Sequence, residues 1–120
     1  MNVSPFLNIS SASNSPVVVI AVNCELVRGS EAYVVEKVLP RVKQESVALD
    51  LSGVERIDAA GIAALITLYC TSVEAKTDFF VVAPSPHVLE LLRIVGLESI
   101  LVAADRPTGA ERFRLNCPAA

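Results

Sequence analysis

Asp50 and Asp58 flank the junction between one apolar segment and the next, and paired carboxylates in such a place could do acid–base work or hold a magnesium ion. Neither chemistry is completed, because the sequence offers no phosphate-binding glycine loop and no third polar ligand at a matching spacing. Cys24, Cys70 and Cys117 are odd in number and widely spaced, which fits neither a disulfide framework nor a CxxC metal site, so they read as structural or incidental thiols. His87 is the only histidine, and a Ser/His/Asp or two-histidine metal mechanism would have to recruit residues for which no spacing speaks. Ser52 and Ser85 are better explained by turn formation and helix capping than by modification, and His87 by a surface position. The expectation is a chain with no catalytic residues, no metal and no cofactor.

The segment that joins the two carboxylates is more informative than the carboxylates themselves. "VALDLSGV" suits a buried strand and "IAALITLYCTSVEA" a helix of several turns, so "ERIDAAG" between them is a strand-to-helix junction. Unpaired backbone N–H groups and the helix dipole gather there and favour an anion or a hydroxyl. Asp58 is placed to cap the helix, and Gly61 to serve a tight turn or the close approach of a partner backbone. Ala59 and Ala60, the residues best placed to offer a hydroxyl, have none.

The elements around the junction alternate. "FLNIS" at 6–10 reads as a short edge strand, and a stronger strand covers 17–26. Ser30 can cap a helix from about Glu31 to Gln44 whose Val34, Val35, Val38, Leu39 and Val42 recur at helical spacing, with Pro40 predicting a kink or an early end. A strand at 46–52 follows. The helix from about Ala60 carries Ile62, Leu65, Ile66, Tyr69 and Val73 on one side. A strand at 78–83, a helix opened by Ser85 and Pro86 and closed by Gly96, and a last strand at 99–104 complete the order, with Leu97 packing back onto that helix. This pattern predicts an α/β single domain, a mixed four- to five-stranded sheet with helices packed against it. Residues 17–104 are expected to form the domain, 1–16 an N-terminal segment with the possible edge strand, and 105–120 a loose or weakly docked C-terminal tail.

Composition narrows the class. The chain has 120 residues, 52% of them apolar, and a formal charge of -3, which argues against disorder and against a nucleic-acid partner. The longest apolar run, "VVVIAV", is far shorter than the roughly 20 residues that cross a bilayer, so no direct membrane insertion is expected. The N-terminal stretch lacks the pattern of a secretory signal, which makes the expected location cytoplasmic. Such an apolar domain is suited to keep a patch for a protein partner or for a second copy in a homodimer.

Four segments in order resemble the STAS domain family, whose founding members are bacterial anti-sigma factor antagonists. "VVVIAVNCEL" resembles the family's strand ending in Gly-Glu-Leu-Asp, with Cys24 in place of the glycine and Val27 in place of the aspartate. "VALDLSGVERIDAAGIAAL" is similar to its strand, Asp-Ser-Ser-Gly and helix, and "FFVVAPSPHVLELLRIVGLESIL" to its closing strand, helix and strand. The resemblance implies a non-catalytic interaction module that binds a kinase-like anti-sigma factor through Asp58, Ala59, Ala60, Gly61, Ile62 and Ala63. Ala60 matches the serine that the partner phosphorylates in the family, so this chain could not be switched off there. The resemblance also allows another role, that of an accessory subunit of a lipid-transport ABC ATPase complex.

Overall fold

The computed structural model describes residues 17–103 and 111–116. In chain order these form β1 (Val17–Val22), α1 (Glu31–Val42), β2 (Ser46–Asp50), α2 (Ala59–Ala75), β3 (Phe79–Val82), α3 (Pro86–Ile94), the single-turn α4 (Glu98–Leu101) and β4 (Glu111–Leu115). The sheet order is β3-β2-β1-β4, and every pairing in it is parallel. The edge strand expected at 6–10, on which an antiparallel component rested, lies outside the described residues.

The α/β expectation is met by the alternation of period. β2 is buried at all five positions, as an inner parallel strand covered on both faces must be. Chain direction places β1, β2 and β3 side by side in sequence order, so right-handed crossovers carry α1 and α2 to the same face, where they pack on each other. Val18, Ile20, Val22, Val47, Leu49 and Val81 meet Val34, Val38, Val42, Leu65 and Leu68 in one main core. The other sheet face buries a smaller cluster of Val19, Ala48 and Val82.

α1 continues two residues past Pro40, contrary to an early end. Pro40 lies on the exposed face, so the Glu36 carbonyl that loses its donor can turn to water. Ser30 stands at the N-cap without a capping hydrogen bond. Its hydroxyl instead donates to the carbonyls of Glu25 and Val27, tying up the loop before the helix. At the far end of α3, Gly96 adopts φ 81°, its N–H donates to the Arg93 carbonyl, and the Leu97 N–H donates to the Leu92 carbonyl at 2.8 Å. Leu97 also packs against the core, so this is the glycine-terminated stop that the sequence predicts.

Three expectations are corrected. The last strand predicted at 99–104 is α4 followed by a single parallel bridge from Val102 to Val81. One helical turn after the reversal at Gly96 brings Leu101 into the core at 1% exposure, which a strand starting at Ser99 would not require. The region from Asp105 on, expected as a loose or weakly docked tail, contains a regular strand, β4, whose residues pair in register from Val18↔Glu111 to Val22↔Leu115. β4 is exposed almost throughout, so it carries no burial signal that a sequence reading could detect. The third correction concerns α2. Its buried face is Gly61, Ala64, Leu65, Leu68 and Ser72, while Ile66 and Val73 are 41% and 58% exposed. Small residues let α2 settle close to the sheet and to α1, which turns part of the anticipated apolar stripe outward.

Candidate docking site

The β2–α2 junction is held from three sides. Leu51, Val54 and Ile57 are buried within it, and the Val54 carbonyl accepts from the Ser85 hydroxyl at 2.8 Å, which fixes the loop to the start of α3. Ser85 was expected to cap α3 through its side chain and does not; Pro86 in the first turn removes one of the N–H groups that would need a cap. On the opposite side, Leu26 forms a parallel bridge with Ile57. Its N–H donates to the Arg56 carbonyl and its own carbonyl accepts from Asp58.

Asp58 is the N-cap of α2, as expected. Oδ1 accepts from the Gly61 N–H at 3.1 Å and Oδ2 from the Arg28 N–H at 3.0 Å. The Arg28 and then the Gly61 backbone donors stabilise the carboxylate and hold its pKa below the ordinary value. The carboxylate thereby joins the β1–α1 loop to the first turn of α2. Gly61 sits beneath it, fully buried. A Cβ there would overlap the Leu26 carbonyl oxygen and approach Ile57 Cγ1 to 2.7 Å. The space that a Cβ at Gly61 would need is taken by the chain's own Leu26 backbone and Ile57 side chain.

The remaining residues of the segment face outward in different degrees. Ala59 and Ala63 are exposed, Ala60 and Ile62 half-buried, and Leu65 fully buried. Ala60 lines two adjoining hollows. One, about 420 Å³, is walled by Arg28, Asp58, Ala59 and Ala60. The other is a groove of about 460 Å³ between α1 and α2, lined by Glu31, Ala32, Val35, Glu36, Ala60, Ala63, Ala64 and Thr67. The α1 wall was not anticipated from sequence. Its signal was present in the small Ala32 facing the small Ala60 and Ala63, but only the parallel packing of two crossover helices, both running opposite to the strands, brings them together.

The other chemistry-bearing residues are elsewhere. Asp50 is buried at the end of β2; its Oδ1 accepts from the Ser52 N–H at 2.9 Å and its Oδ2 from Arg112 of β4 at 3.1 Å. It therefore serves the sheet edge and does not pair with Asp58. Ser52 and His87 are exposed. Among the described residues no group of three or more His, Cys, Asp or Glu side chains could hold a metal ion, and no helix is long and apolar enough to cross a membrane. The cysteine expectation needs correction: Cys70 is a free, exposed thiol, whereas Cys24 is disulfide-bonded. Spacing rules read only separation along the chain, so they give no sign of the bonded state of Cys24.

A four-stranded parallel α/β domain that presents a shallow, small-residue surface at a strand-to-helix junction has the form of a protein-interaction module. Residues 9–103 match the family described as Mlab, STAS domain, and the chain belongs to the STAS domain family. The match begins eight residues before the domain start expected at Val17 and ends one residue before the expected Ala104. STAS domains generally mediate protein–protein contacts and are generally non-catalytic. No curated protein matches the chain.

Proposed function

We propose that this protein is an anti-sigma factor antagonist type of interaction module that docks a serine-kinase-like anti-sigma regulator through Asp58, Ala59, Ala60, Ile62 and Ala63, with Gly61 setting the height of the helix beneath them. The observation that carries this reading is the position of Ala60, which lines both hollows at the start of α2. A phosphate at residue 60 would bring about -1.5 to -2 charges beside the Asp58 carboxylate and into the centre of the contact. Alanine carries no such charge, so the surface stays in its binding form and is governed by the abundance of its partner. The cytoplasm is the compartment in which such a partner would be met.

A second reading, an accessory subunit of a lipid-transport ABC ATPase, is favoured by the wording of the family description, which names Mlab beside STAS. It uses the same face and differs in the partner. Capture of partners by the tagged native chain, with Ala60→Asp as the parallel bait, separates the two. Recovery of a kinase-like regulator that Ala60→Asp loses supports the first reading, and recovery of a transport ATPase supports the second. Equal recovery by both baits would remove residue 60 from the interface. In the first case Ala60→Ser should also accept phosphate from the recovered kinase, and failure to do so counts against it.

A further inference from the structure

α2 is apolar on the side that meets water as well as on the side that meets the core. Of its 17 residues only Glu74 is charged. On its outer face Ala59, Ala63, Ile66, Cys70 and Val73 are all exposed and recur at alternating steps of four and three, so they form one straight ridge about 21 Å long. The outward faces of α1 and α3 carry Glu36, Lys37, Glu90 and Arg93 instead. A helix apolar all round belongs where both sides are covered, and a repeat of about 3.5 residues is the spacing into which a second helix packs.

The ridge is complementary to itself. Its smallest members, Ala59 and Ala63, lie toward the N-terminus and its largest, Ile66 and Val73, lie beyond them. An antiparallel copy therefore sets Ala63 of one chain against Val73 of the other, and Cys70 against Ile66, a smaller side chain opposite a larger one in each layer. A parallel copy would set alanine against alanine and leave gaps. Charge selects the same order. Glu74 lies in the last turn of α2, where the helix dipole disfavours an anion, and the first turn holds no acidic residue. Antiparallel order brings Glu74 to the N-terminal end of the opposite α2, close to Arg28, which walls the hollow at Ala59 and Ala60. Among the described residues neither Glu74 nor the Arg28 side chain has an ion-pair partner. Asp58, the carboxylate at that end, already has both oxygens held by backbone N–H groups.

We propose that this ridge is a homodimer interface, in which two copies of the chain pair α2 against α2 in antiparallel order about a two-fold axis level with Leu68. A single helix pair lies at the small end of specific interfaces, below about 1,200 Å² in total, so the dimer forms with a Kd of about 1–100 µM. The pairing stands independently of the docking reading. Together with it, burial of Ala59 and Ala63 withholds the docking segment for as long as the pair lasts.

The test reads self-association of the full chain with no other protein present, so it does not depend on any docking partner. Sedimentation equilibrium from about 1 to 500 µM should show monomer passing to dimer. Ile66→Asp, at an exposed position, should weaken the dimer by about tenfold or more while leaving the urea midpoint unchanged, because it buries an unpaired charge only in the pair. Ile94→Asp, exposed on α3, should leave the dimer as it is. Alkylation of the free Cys70 thiol should slow several-fold at dimeric concentration, and Ile66→Asp should remove that difference. Glu74→Arg and Arg28→Glu should each weaken the pair, and the double variant should recover it. A monomer at every concentration, or a dimer indifferent to Ile66→Asp, would overturn the interface; no recovery in the double variant would overturn the antiparallel order.

Discussion

Replacing Gly61 by alanine sets two effects of opposite sign against each other. Helix propensity favours the change, since alanine in place of glycine within a helix contributes about 1 kcal/mol. Packing opposes it, because the new Cβ would overlap the carbonyl oxygen of Leu26, a residue fixed by the bridge to Ile57 and by the hydrogen bond that its N–H donates to the Arg56 carbonyl. The helix and the loop must separate. Overpacking of this kind costs about 1–3 kcal/mol. The separation also loosens the 3.2 Å hydrogen bond from Asp58 N–H to Leu26, and a buried carbonyl left without a partner costs a further ~1–3 kcal/mol. Set against the propensity gain, the net loss is about 1–5 kcal/mol. Urea unfolding of Gly61→Ala should show a lower midpoint at an unchanged slope. Stability equal to or above the wild type would refute the argument, since propensity would then have outweighed an overlap that the geometry makes unavoidable.

Further outcomes follow from other positions. Lys76 ends α2 at φ 62°, a left-handed conformation that a side chain disfavours, so Lys76→Gly should stabilise the protein by about 0.5–1 kcal/mol in the same assay. Leu68→Ala, which empties a fully buried site beneath α2, should cost about 2–5 kcal/mol. Asp58 has a pKa held below the ordinary value by the Arg28 and Gly61 N–H groups. Its contribution is therefore present above the unfolded carboxylate pKa of roughly 4 and is lost as pH falls through the lower folded value. An Asp58→Asn variant should be less stable than wild type near pH 7, and the gap should narrow on acidification; a gap that widens as pH falls would reverse the sign of the argument.

Where the sequence was legible, strong periodicity met a simple environment. α1 shows its valine stripe because one face meets the sheet and the other meets water. Gly96 and Leu97 announce the end of α3 because a left-handed glycine followed by an apolar residue has few other uses. Asp58 was recognisable as a cap from its place before the helix. α2 was harder, because a helix apolar almost all round gives no contrast from which to choose the inner face, and Gly61, Ala64 and Ser72 won it by their size. The groove wall on α1 and the role of Asp50 belong to pairs far apart in the chain. β4 was missed for the same reason. Its exposed, charged residues read as a tail, and only Arg112 on Asp50 and Phe113 beneath Arg41 reveal that it has a place to go.

That place carries a consequence for how the chain is made. Asn23 and Asn116, joined across the β1–β4 pairing, are 93 positions apart. At a synthesis rate of about 5–20 residues per second, the outer edge of β1 waits roughly 5–20 s for the strand that covers it to be translated. The residues that wait are "VVVIAV", an uncharged run without proline or glycine and with high β-propensity, the composition most prone to pair with a neighbouring nascent chain. On a polysome, where identical unfinished copies are close together, the burden of solubility falls on that interval. A chain cut short before Glu111 would never leave it.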